Sequence, residues 1–132
     1  MKLQKLYDIA DGNDIDVDYF PMRQAVSLST PDSIAMDVRK IHTTKEETVI
    51  LAHELGHCMT GSFYQINTFE TRDRMEHRAF KWAVQTIIPF QELLKQLKSG
   101  MTEPYELAEY FNVTEEFMKK AISFYKDLGK LR

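Results

Sequence analysis

Apolar positions along the chain follow two different periods, and the switches between them mark the elements. In KLQKLYDIAD (2–11), Leu3, Leu6, Ile9 and Ala10 fall on one side of a helix that Gly12 ends. NDIDVDYFP then alternates, with Ile15, Val17 and Tyr19 set against Asp14, Asp16 and Asp18. That is the period of a half-buried strand, stopped by Pro21. QAVSLST and SIAMDV flank the turn signal Pro31-Asp32 and predict two more strands in a hairpin, with the short SIAMDV expected as a sheet edge. Helical spacing takes over from Thr43 or Thr44, each three residues before a glutamate (Glu46, Glu47) and so able to head a capping box. This helix should run to about Thr60 and stop at Gly61. A second is expected over 70–88, ended by Pro89, and FQELLKQLKSG gives a third, amphipathic one. TEPYELAEYFNVTEEFMKKAISFYKDLG reads as two helices broken at Asn112, the last stopping at Gly129. No repeat or linker interrupts the 132 residues, so a single domain is expected, with 1–100 as its core and 101–132 as a helical extension of it.

Composition narrows the function classes. Charged residues make up 28% and hydrophobic ones 43%, as in ordinary globular proteins. A net charge of −3 speaks against direct nucleic-acid binding. One cysteine, Cys58, excludes an internal disulfide framework and fits a reducing compartment. No apolar run follows the first lysines and no stretch reaches about 18 apolar residues, so neither a secretory leader nor a membrane span is expected. A cytoplasmic location is the expectation; oligomeric state is not encoded legibly.

The chemistry centres on VILAHELGHCM. Residues four apart stack on one face of a helix, so His53 and His57 can aim ring nitrogens at one point. Zinc accepts imidazole nitrogen, and such a pair supplies two of its protein ligands. Glu54 lies about 100° round the helix, too far to be a matching ligand but placed to reach a water on the metal. Zinc lowers the pKa of that water to about 7, and the carboxylate can take its proton as it attacks a carbonyl. The apolar flanks set this polar patch in a mostly buried helix, where polar groups need partners.

A catalytic zinc needs a third protein ligand. The metzincin solution is absent, because Thr60 and Phe63 stand where glycine and histidine would be required. Glu70, Asp73 and Glu76 remain, with His77 as an outsider. In RMEHRAFKWAVQTIIP the apolar stripe is Ala79, Phe80, Ala83 and Ile87, and Glu76 leads that stripe. A glutamate there is costly unless a charge matches it, and zinc would; pairing with Arg72 or Arg78 is the plainer alternative. Glu70 shares a face with Arg74, and Asp73 suits a supporting contact to a ligand histidine.

Three segments resemble the ImmA/IrrE-type metallopeptidases of phages, integrative elements and bacterial stress regulators. TVILAHELGH is similar to that family's active-site helix. MEHRAFKWAVQTIIP is similar to its second block, a glutamate three residues before an alanine in a helix that ends at proline. ELAEYFNVTEEFMKK is similar to its C-terminal helical segment. The resemblance implies an α+β fold, a small gluzincin-like zincin domain with a short three-stranded sheet packed on the HExxH helix and additional C-terminal helices. It implies His53, His57 and Glu76 as zinc ligands and Glu54 as the base. It also implies a role in transcription regulation, the cleavage of a helix-turn-helix repressor. Many relatives carry histidine where Gly61 stands and a small or polar residue where Phe80 stands. No additional sensory domain is expected.

Other features are weighed more blandly. ELAEYFNVT resembles the start of a helix-turn-helix, but Glu103, Glu106, Glu109, Glu115 and Glu116 would repel phosphates, so packing or substrate docking is the better reading. Trp82, Phe80 and Phe111 read as core, Cys58 as core beside Leu51 and Leu55, and His42 as surface. His77 and Tyr64 are the groups that could polarise a substrate carbonyl. SIAMDV, if it is the free edge, could hold an extended substrate by strand addition. The sequence thus points to a zinc-dependent endopeptidase of narrow specificity acting on a DNA-binding repressor. The alternative is a catalytically silent zinc-containing regulatory protein that grips a repressor or a toxin–antitoxin partner.

Overall fold

The computed structural model describes residues 2–63 and 71–131; Tyr64 and Glu70, both weighed above, lie outside them. Helix α1 (Lys2–Gly12) buries Leu6 and Ala10, and strands β1 (Asp16–Tyr19), β2 (Ser27–Thr30) and β3 (Ser33–Met36) follow it. After a short 3₁₀ turn (Val38–Lys40), five helices complete the chain: α2 (Thr44–Thr60), α3 (Arg72–Ile87), α4 (Phe90–Lys98), α5 (Pro104–Phe111) and α6 (Glu115–Asp127). The fold is α+β, with a three-stranded sheet and both motif histidines on α2.

The strand order corrects one expectation. SIAMDV is not an edge: the order is β1-β3-β2, with β3 parallel to β1 and antiparallel to β2. Ile34 and Met36 of β3 are fully buried, which a central strand achieves more easily than an edge. The Pro31-Asp32 turn does close the expected hairpin, in the register Thr30↔Ser33 and Ser27↔Met36. Strand β2 starts three residues later than its pattern suggests, because the preceding carbonyls are already engaged. Lys40 Nζ donates to Met22 O at 2.9 Å and to Ala25 O at 3.0 Å. The buried Asp37 completes this clamp, accepting from Met22 N at 2.9 Å and from the Arg39 side chain at 2.9 and 3.0 Å.

Helix α2 begins at Thr43, one of the two capping residues considered. Its side chain accepts from Glu46 N, and Glu46 accepts from Thr43 N in return, which satisfies two end groups at once. Gly61 ends the helix at φ +66°, a conformation that glycine adopts without strain. The N-terminal half of α2 is held against α1 and β1 by Tyr7, whose hydroxyl donates to Glu47 and meets the Tyr19 hydroxyl. Burial, then the Glu47 contact, push the Tyr7 phenol well above its usual range.

The C-terminal helices share the core with α2: Leu107, Phe111, Met118 and Ala121 cluster with Leu51, Leu55 and Leu93. Asn112 is the hinge of the α5–α6 break. It takes the left-handed conformation at φ 55°, and its amide donates to the buried Thr48 of α2 at 3.1 Å. Among the described residues, no helix is long and apolar enough to cross a membrane.

Helices α2 and α3 approach each other closely. A Cβ on Gly56 would lie 2.4 Å from the Ala79 carbonyl oxygen, a rigid backbone atom. In an open helix, Gly→Ala gains up to about 1 kcal/mol; here overlap should reverse the sign. Gly56→Ala is expected to destabilise by about 1–3 kcal/mol, read as a lower urea midpoint at unchanged slope. A gain in stability would show that the crossing is loose.

The Arg39 guanidinium, ahead of the Met22 amide, holds the Asp37 carboxyl well below the usual carboxylate range. A depressed folded-state pKa contributes stability that is complete above the unfolded value, near 3.9, and is lost as pH falls through the folded value. The stability advantage of the wild type over Asp37→Asn should therefore hold from neutral pH to about pH 5 and shrink below about pH 4. An advantage independent of pH would contradict the clamp.

Candidate metal centre

The α2–α3 crossing brings three side chains to one point. His53 Nε2 lies 3.0 Å from His57 Nε2 and 2.8 Å from Glu76 Oε2, while His57 Nε2 lies 3.3 Å from Glu76 Oε1. One ligand atom from each of the three lies within 4.8 Å of the others, and this is the only such His/Cys/Asp/Glu group among the described residues. The spacing of the sequence explains it. His53 sits one turn before Gly56, and Glu76 one turn before Ala79, so the close contact between those small residues places the turn before each of them in register.

The donor chemistry fits a cation. His57 Nδ1 lies 2.6 Å from the Ser62 carbonyl oxygen, which can only accept, so that nitrogen carries the proton. In neutral His57 the Nε2 lone pair then faces His53 and Glu76. Two imidazole nitrogens and a carboxylate converging at 2.8–3.3 Å can share one cation, and this N₂O set suits zinc. Exposure falls steeply across the group: the His53 side chain is 44% exposed and that of His57 is 8%. The centre therefore has a buried floor and an open side.

Glu54 lines the same cleft as the cluster and is tied to the sheet. It is buried, and its Oε2 accepts from the Ser27 hydroxyl of β2 at 2.5 Å. Ser27 is opposite the buried Met36, so the inner face of β2 carries serines while Leu28 points outward at 58% exposure. A cleft of about 400 Å³ runs from β2 across His53, Glu54 and Glu76. In the sheet order β2 is an outer strand, and among the described residues no strand pairs with the edge that lines this cleft. A carboxylate, a convergent ligand group and an extended backbone edge thus meet in one groove.

Other expectations fall as follows. Glu76 turns to the histidines and not to Arg72 or Arg78. Asp73 is exposed and bonds neither ligand histidine; the Ser62 carbonyl makes that contact for His57. His77 is exposed and meets the Phe124 ring at a tilt, with centroids 6.2 Å apart. Cys58 sits half-buried at the rim of the core, its thiol donating to Thr30 O at 3.2 Å, and burial pushes its pKa up to about 11. His42 is exposed, as expected. Ser27, Ser62 and Gly56 were not singled out by the motif reading; only the glycine inside HELGH carried a signal, as a helix-interior residue with no propensity reason to be there.

A peptidase family described as the IrrE N-terminal-like domain matches residues 13–123, most of the chain. No individually curated protein matches significantly.

Purified wild-type protein is expected to carry about one zinc per chain, and His53→Ala and Glu76→Ala should each lose it. Zinc retained in Glu76→Ala would place the third ligand elsewhere.

Proposed function

The chain belongs to the IrrE N-terminal-like family, a family of metallopeptidase type, and on that premise we propose that it is a zinc-dependent endopeptidase of narrow specificity. The observation that carries the reading is the meeting of His53, His57 and Glu76 beside Glu54 in a cleft bordered by an outer strand. His53 and His57 offer Nε2 and Glu76 a carboxylate oxygen to the ion. When bound, zinc supplies Lewis acidity, polarising a carbonyl and letting water lose a proton near neutral pH.

The residues of the chain do the rest. Glu54 takes the proton of the attacking water and returns it to the leaving amine. Ser27 holds one oxygen of that carboxylate by a hydrogen bond, which leaves the other oxygen to the cleft. Ser62 fixes the His57 tautomer through its backbone carbonyl. The outer edge of β2 offers main-chain donors and acceptors to an extended polypeptide, the role the sequence suggested for SIAMDV. Such binding favours a locally unfolded segment of a protein over a small molecule.

We assign the substrate to the class of DNA-binding repressors, whose cleavage would relieve repression. What supports this is charge. Glu103, Glu106, Glu109, Glu115 and Glu116 crowd α5 and the start of α6, and although Lys45, Lys119 and Lys120 pair with three of them the face stays net acidic. A basic DNA-binding surface complements that face, whereas a phosphate backbone does not.

Glu54→Gln preserves the shape of the base and its acceptor for Ser27 while removing its proton affinity. Zinc content should be unchanged and peptide cleavage should fall by about 10²–10⁴-fold. Derepression in cells that survives Glu54→Gln would sink the endopeptidase reading in favour of a zinc-containing regulator that acts by binding.

A further inference from the structure

The cleft along β2 is not the only cavity that reaches the ligand cluster. A second, of about 520 Å³, shares His53 and Glu76 with it as walls and extends between α2, α3 and α6. Its volume falls in the range of about 300–1,000 Å³ typical of ligand pockets. Val49, Phe80, Ala83 and Phe117 supply its apolar walls. Val49 lies one turn before His53 and Phe80 one turn after Glu76, so those walls begin one turn from two of the candidate ligands. Phe80 and Phe117 meet edge to face with centroids 5.7 Å apart, and Phe80 remains only half-buried. Asp73, His77, Thr114, Glu116 and Lys120 add polar groups to the lining, and Lys120 is paired with Glu116 at 3.4 Å. The apolar side of such a cavity, left open to water, is costly unless something apolar covers it.

We propose that this cavity is a specificity subsite that receives one aromatic side chain of the polypeptide next to the bond to be cut. The proposal rests on the endopeptidase reading for its position and on the cavity walls for its chemistry. Two ring walls inclined at 64° to each other accept a third ring in edge-to-face or offset contact, which an aliphatic chain does not reproduce. Small side chains would leave the space empty.

Two measurements separate the proposal from the reading beneath it. In the first, zinc-loaded wild type and Val49→Trp digest a proteome-derived peptide library, and cut sites are read by mass spectrometry. The wild type should favour Phe, Tyr or Trp at one fixed position beside the cut. Val49→Trp fills the cavity from a half-buried position one turn before His53, so its zinc content is measured alongside, and with one zinc retained it should lower that preference about tenfold. A flat profile, a preference for Lys or Arg there, or an unaltered aromatic preference in a folded Val49→Trp would overturn the proposal. In the second, wild type is titrated with N-acetylphenylalaninamide or N-acetylalaninamide and followed by methyl NMR. Val49 and Ala83 resonances should shift with the aromatic amide only. Binding without any library cleavage would uphold the aromatic site and sink the peptidase reading; no binding would sink the site whatever the library shows.

Discussion

The contact between Gly56 and Ala79 is what the rest of this site depends on. Helix pairs usually pack with axes about 8–10 Å apart, and side chains at the crossing set that distance. Here one helix offers a hydrogen where a Cβ would strike the other's carbonyl oxygen. The approach this permits is what lets Glu76, a short-reaching carboxylate, meet two imidazoles on a neighbouring helix at 2.8 and 3.3 Å. The buried surroundings of Ala79, Ala83 and Leu55 keep the crossing from sliding. Position and chemistry are thereby linked: the residues that hold the helices together stand one turn from the residues that meet between them.

Three further ties steer α2 from outside that crossing. The Thr43–Glu46 capping box fixes where α2 begins. Asn112 and Thr48 bind the α5–α6 corner to its buried flank, so the C-terminal helices bear directly on the helix that carries His53. Ser27 joins Glu54 to the sheet. The last has a consequence for specificity. The strand that holds Glu54 is also an outer strand, so a polypeptide laid on β2, as proposed, would be registered against Glu54 by the same element. The clamp of Asp37 and Lys40 on the preceding loop keeps that strand from lengthening or shifting.

Much of this was legible in one dimension. Local signals carried the helices: the capping threonine, Gly61, the Pro89 stop and the left-handed break at Asn112 act within one turn of the residues that encode them. The i,i+4 histidines met because helix geometry leaves them no alternative. Glu76 was found by its place at the head of a buried stripe, a helical property again. Strand order was less accessible. SIAMDV looked like an edge because it is short, yet length says nothing about which neighbours a strand finds, and pairing with both β1 and β2 made it central.

The sequence by itself determined the elements that are closed within a few residues: the helices, the hairpin, and the two histidines with their neighbouring glutamate. It also determined which carboxylate led the second helix's buried face. Only the tertiary structure decided which side of β2 faces inward, because Ser27 and Ser29 lie inside and Leu28 outside, against the usual sense of the alternation. It alone brought the Ser62 carbonyl to His57, showed that Gly56 is there for space and not for backbone freedom, and left Asp73 out of contact with the ligand histidines. The physical reason is common to these cases. Periodicity reports how far a side chain is from water, whereas the partner of a buried polar atom is set by which distant segment arrives beside it.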